Sequence, residues 1–183
     1  MFGRLEIYFG PMCSGKSTEL IRIRNKYVAI NKKVMAVTYY KDIRYGKNVI
    51  SSHDRVQVTA IPIQHLADIT KSYLDKYREC DLLIIEEGQF FDDLLDFVTN
   101  AVNNDGKFVV VGGLISDFKM DKFGSIGELM RYADEVVHLT AFCKKCNDGT
   151  IAPFTKRVCG NTDDQELIGV DEYISVCRRH FYE

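Results

Sequence analysis

The sequence predicts an α/β fold, a mostly parallel sheet with helices on both faces, followed by a small C-terminal unit of different texture. Three observations predict it. Short apolar runs alternate with segments whose apolar residues recur at helical spacing, and strands that alternate with helices in this way join in parallel. A turn bearing Gly10 and Gly15 stands between the first apolar run and the first helical segment. After Thr140 the hydrophobic runs shorten, and Cys, Gly, Asp and Lys become frequent.

Taken in order, residues 5–9 are a buried strand, and residues 16–31 repeat apolar side chains at Leu20, Ile21, Ile23, Tyr27, Val28 and Ile30, a helix. Residues 34–39 are a second strand and residues 56–61 a third, with alternating character. Leu66, Ile69, Tyr73, Leu74 and Tyr77 predict one helix over 65–77, and residues 82–85 a buried strand. Leu94, Leu95, Val98 and Val102 predict a helix over 90–102, before a strand at 108–111, a short helix at 126–132 and a strand at 136–139. The change of texture puts a boundary at residue 140, giving a main domain over 1–140 and a small one over 141–183.

Composition narrows the function classes. With 183 residues, 46% hydrophobic and 27% charged, the chain suits one globular domain with a small appendage. Its net charge is -2, and 24 basic residues are interspersed with 26 acidic ones, which disfavours sequence-independent binding to nucleic acid. Charge enters early, at Arg4 and Glu6, and no apolar run approaches the roughly 18 residues of a membrane span, so a cytoplasmic protein is expected. In that compartment six cysteines read as metal ligands or reduced thiols rather than as disulfides.

Gly10, Pro11, Met12, Cys13, Ser14, Gly15, Lys16 and Ser17, followed by Thr18, fit the phosphate-binding loop GxxxxGK[ST], between a strand and a helix as the chemistry requires. Its glycines let backbone N–H groups turn inward onto a phosphate, Lys16 meets the β- and γ-phosphates of ATP, and Ser17 ligates Mg²⁺. The fold expected is thus P-loop NTPase-like. Glu86 and Glu87 end the buried run LLIIEE. Successive strand side chains point to opposite faces, so one carboxylate is placed to hold Mg²⁺ through water and the other to act as a general base. Near the C-terminus, Cys143 and Cys146 in CKKC and Cys177 and His180 in CRRH supply three thiolates and an imidazole, a closed tetrahedral set for structural Zn²⁺. Cys80 and Cys159 have no such partners.

GPMCSGKSTEL, KDIRYG, His53 with Asp54, EEGQFFDD, VVVGGL with Phe118 and Phe123, YADEVVHLTAFC and LIGVDEYISVCRRH are spread along almost the whole chain. In their order and spacing the sequence resembles the type II thymidine kinases. The resemblance implies transfer of the γ-phosphate of ATP to the 5′-hydroxyl of thymidine, and of deoxyuridine, in nucleoside salvage for DNA synthesis, by a cytoplasmic homotetramer. It makes Glu87 the proton acceptor, with Lys16 and Ser17 at the phosphates and Mg²⁺, and sets Glu86 and Gln89 in the same turn. Arg44 and Asp42 match a pair near the transferring phosphate. Met12, Leu114, Phe118, Phe123, Thr155 and Tyr173 match walls of the base pocket, and Leu167, Ile168 and Gly169 match the loop whose backbone bonds the pyrimidine. The zinc appendage then holds a lid over the nucleoside.

The chain departs from the family's usual residues at Glu86, where Asp is common, at Cys13, where Phe is common, and at Ile168, where Gly is common. Two other readings stay open at this level: a P-loop kinase or NTPase with another acceptor, and a zinc-ribbon interaction module with a nucleotide switch. GTP is disfavoured, because the chain contains no NKxD tetrapeptide.

Overall fold

The computed structural model describes residues 3–159, 165, 168, 169 and 172–183. The first half of the chain runs β1 (Arg4–Phe9), α1 (Lys16–Ala29), β2 (Val34–Tyr39), β3 (Val49–Ser51), β4 (Gln57–Thr59), β5 (Ile61–Ile63), α2 (Ala67–Ser72), α3 (Leu74–Glu79) and β6 (Leu82–Ile85). A 3₁₀ turn (Gly88–Phe90), α4 (Leu94–Asn103), β7 (Phe108–Gly113), α5 (Ile126–Leu129), a second 3₁₀ turn (Met130–Tyr132) and β8 (Glu135–His138) follow. The C-terminal part comprises β9 (Ala141–Phe142), β10 (Ile151–Ala152), β11 (Phe154–Arg157), β12 (Tyr173–Val176) and α6 (Arg178–Tyr182).

Six strands form one parallel sheet in the order β5-β2-β6-β7-β1-β8. Because side chains alternate across a strand, each central strand feeds both faces. Leu82 and Ile84 join Leu20, Ile21 and Ile23 of α1 in one core, while Leu83 and Ile85 join Leu94 and Val98 of α4, Ile69 of α2 and Ile126 of α5 in the other. The α/β architecture with helices on both faces is therefore as the sequence predicts. A third, small cluster holds Cys143, Ala152, Phe154, Val176 and Cys177.

Three elements differ from expectation. The helix expected over 65–77 is two helices, parted at Tyr73 (φ -132), and α2 starts where the Asp93 carboxylate accepts hydrogen bonds from the N–H groups of Leu66 (3.0 Å) and Ala67 (2.9 Å). That cap comes from a distant part of the chain, so no local pattern foretells it. The strand expected over 56–61 divides: β4 pairs antiparallel with β3 in a separate hairpin, and β5 joins the main sheet beside β2. The helix expected over 90–102 begins at Leu94, since residues 88–90 form a tight 3₁₀ turn carrying Gln89.

Candidate active site

The phosphate-binding loop leaves β1 at Phe9 and enters α1 through Gly15, whose φ of +84 lies in the left-handed region that glycine adopts without strain. Lys16 folds over the loop, its Nζ donating to the carbonyls of Gly10 (3.1 Å) and Pro11 (2.8 Å). The Ser14 Oγ is buried with no partner among the described residues, as a hydroxyl awaiting a phosphate oxygen would be. Burial lowers the Lys16 pKa, against the attraction of Glu87.

Beyond β6 the backbone turns sharply. Glu86 stays on the α1 side of the sheet, where the Ser17 side chain hydrogen-bonds to it; burial first, then the neighbouring Glu87 charge, push its carboxyl up to about 8. Glu87 adopts φ +54, a left-handed conformation uncommon outside glycine, and so turns its carboxylate toward the opposite wall. There it is paired with the Arg44 guanidinium, and its Oε2 accepts from Gln89 Nε2 at 2.6 Å. Burial would raise the Glu87 pKa, but the cations of Arg44 and Lys16 and the Gln89 amide outweigh it and hold the carboxyl below the ordinary range. Arg44 also forms a two-pronged pair with Asp42, Nε to Oδ1 at 2.7 Å and the second nitrogen to Oδ2 at 2.6 Å. Burial opposes its charge, yet the two carboxylates raise its pKa.

Two cavities open from this cluster. One is walled by Met12, Leu114, Phe118, Phe123, Ile168 and Tyr173, with Gln89 and Thr155 among its polar lining. The other takes in residues 12–18, Asp42 and Glu86. Met12, Arg44, Glu87 and Gly169 line both, so the cavities meet at the Glu87–Arg44 pair. Gly10 and Pro11 lie behind, presenting carbonyls to Lys16. Gln89, grouped with the phosphate-site residues from the resemblance, opens instead onto the apolar cavity, where its Oε1 accepts from Leu114 N at 3.0 Å. Leu167 lies outside the described residues.

The four C-terminal ligand atoms converge. Cys143, Cys146 and Cys177 Sγ lie 3.4, 3.4 and 3.5 Å from His180 Nδ1, Cys146 and Cys177 are 3.8 Å apart, and all lie within 4.8 Å of one another. Tetrahedral coordination at Zn–S distances of about 2.3 Å requires edges of about 3.8 Å, so the cluster fits zinc. It is tied to the phosphate loop through β11, where Thr155 Oγ1 accepts from Met12 N at 3.0 Å.

A family model described as Thymidine kinase matches residues 3–181. The chain belongs to the thymidine kinase family. It is 38% identical to the thymidine kinase of Sheeppox virus over 181 residues, covering 99% of this chain and 98% of that one. Thymidine kinase 1 of Dictyostelium discoideum is 40% identical over 181 residues, 96% of this chain and 76% of that one. The cytosolic thymidine kinase of Gallus gallus is 36% identical over 181 residues, 99% of this chain and 78% of that one.

In this thymidine kinase family member, sequence reasoning missed Phe90, Ser116, Asp117 and Gln165 in the apolar cavity. Phe90 stacks on Tyr39 (centroids 5.0 Å, 19°) and meets Phe123 edge-on at 5.3 Å, although its apolar character read as helix core. Asp117 accepts from the N–H groups of Lys119 (2.8 Å) and Asp121 (3.0 Å) and from Gln165 Nε2 (2.8 Å), closing a polar turn whose short-range Asp pattern was the available signal. Arg157, also missed, lies 3.8 Å over the Phe118 ring and donates to the Tyr173 hydroxyl at 2.5 Å, bracing two aromatic walls. No described helix is long and apolar enough to cross a membrane.

Proposed function

We propose that the enzyme transfers the γ-phosphate of ATP to the 5′-hydroxyl of thymidine, and of deoxyuridine. The observation that carries this reading is the meeting of a phosphate-loop cavity and an aromatic-walled cavity at one ionised carboxylate, Glu87. A nucleoside base in the apolar cavity directs its 5′-hydroxyl to Glu87, which accepts the proton as oxygen attacks the γ-phosphorus and the bond to the bridging oxygen of ADP breaks. Gln89 and Arg44 fix the rotamer of that carboxylate, and Arg44 with Lys16 offsets charge gathering on the transferred phosphoryl group.

The juxtaposition of the Ser17 hydroxyl and the Glu86 carboxyl suits Mg²⁺, Ser17 as a direct ligand and Glu86 through water. When bound there, Mg²⁺ would supply positive charge that neutralises part of the charge on the donor's phosphates. Cys143, Cys146, Cys177 and His180 would hold Zn²⁺ in a closed site, with a role in folding rather than in chemistry. On this reading residues 1–140 bind ATP and residues 141–183 form the zinc-bearing lid, and the family resemblance further favours a cytoplasmic homotetramer. Incubation with ATP, Mg²⁺ and a panel of nucleosides tests the assignment. Thymidine monophosphate is the expected product, and efficient phosphorylation of another nucleoside with none of thymidine would overturn it.

A further inference from the structure

The cavity that holds the phosphate loop has a second wall, built from the C-terminal knuckle. Phe142, Cys143, Lys144 and Asn147 line it together with Lys16 and Ser17. A triphosphate brings several negative charges, and the cavity's own cations are largely committed: Arg44 is paired with Asp42 and Glu87, and Lys16 bonds its own loop. Asp42, Asp54, Glu86 and Glu87 add carboxyl groups to the same space. Lys144 differs from the committed cations. Among the described residues it has no ion pair and no side-chain hydrogen bond, and it is exposed where it lines the cavity.

Its backbone, by contrast, is fixed. Lys144 N donates to Ser175 O of β12 at 3.0 Å, and the preceding Cys143, itself in the ligand cluster and almost fully buried, donates its N–H to Thr150 O at 2.8 Å. A rigid base under a flexible four-carbon stem with three donors is the arrangement that lets one lysine follow a phosphate chain, because little backbone entropy is lost on binding.

We propose that Lys144 is a further phosphate-binding residue, contacting the donor nucleotide's phosphates from the knuckle side of the cavity. This rests on the ATP-dependent kinase reading above. It assigns the knuckle a part in donor binding besides its structural one, through a residue that is not a metal ligand.

The test measures dissociation constants for a non-hydrolysable ATP analogue with Mg²⁺, and steady-state kinetics, in the zinc-loaded full chain. Lys144→Ala is expected to weaken analogue binding about tenfold, as loss of one charge-assisted contact does, to raise KM for ATP in parallel, and to leave KM for thymidine unchanged. Lys144→Arg should recover most of the affinity. Lys145→Ala, the neighbouring charge in the same knuckle, should bind the analogue as the parent does, and metal analysis should give equal zinc in all variants. Unchanged analogue affinity in Lys144→Ala, or equal losses in the two alanine variants, would overturn the proposal, as would a thymidine KM that rises together with that for ATP. Failure of the parent protein to phosphorylate nucleosides would count against the kinase reading alone, since the analogue-binding comparison does not depend on turnover.

Discussion

Glu87 occupies a left-handed backbone conformation that costs a non-glycine residue roughly 1–3 kcal/mol, and it is held there by Arg44, Gln89 and the 3₁₀ turn that follows. Strain of this kind turns the carboxylate out of the strand's alternation and into the junction of the two cavities. Glu87→Gln should therefore lose about 10²- to 10⁴-fold in kcat, the usual contribution of a positioned base, with little change in ATP binding; equal small losses for Glu87→Gln and Glu86→Gln would contradict the division of roles. Glu86→Gln should instead raise the Mg²⁺ concentration needed for half-maximal rate. Cys13, also left-handed at φ +60, is exposed in the phosphate loop, whereas Cys80 is buried. Alkylation mapped by mass spectrometry should modify Cys13 in the nucleotide-free enzyme and spare it with ATP and Mg²⁺, leave the exposed Cys159 reactive in both states, and leave Cys80 untouched.

At the scale of elements, the C-terminal hairpins are too short to stand alone. β9 and β10 contribute two residues each, and the apolar cluster between them is small. A metal held by Cys143, Cys146, Cys177 and His180 would supply what that core lacks, because these ligands, drawn from residues 143–180, are far apart in the unfolded chain. Metal analysis should give one zinc per chain, and Cys146→Ser or strong chelation should lower thermal stability and activity together. Thr155 ties this segment to the phosphate loop by accepting a hydrogen bond from Met12 N. Thr155→Val keeps the shape but removes that acceptor; a stability loss of about 1 kcal/mol in urea titration is expected, with KM raised for both substrates because Met12 lines both cavities.

Over the whole molecule, the parallel sheet is the frame that sets the two carboxylates apart. Leu82 to Ile85 are completely buried, with odd and even positions in different cores, and that alternation brings Glu86 to Ser17. Leu83→Ala should cost about 2–5 kcal/mol of unfolding free energy, the range for a large-to-small change at a fully packed site, measured by denaturant titration. The folded fraction should keep its affinity for ATP, since Leu83 touches neither cavity.

Periodicity by itself determined the central strands β1, β2, β6 and β7, because burial on both faces makes them continuous apolar runs. Motif chemistry likewise determined the phosphate loop and the Cys and His quartet, where ligand types and spacing are properties of the chain. Residues 65–77 and 56–61 show where local reading stops: α2 begins at a cap supplied by Asp93, and β4 and β5 part because one pairs with β3 and the other with β2. The same holds at the site. Tertiary structure alone decided that Gln89 faces the apolar cavity, that Asp117 and Gln165 join across 48 positions, and that Lys144 lines the same cavity as the phosphate loop. Hydrogen bonds and charge contacts between distant segments depend on how packed elements place them, and no pattern within either segment encodes that placement.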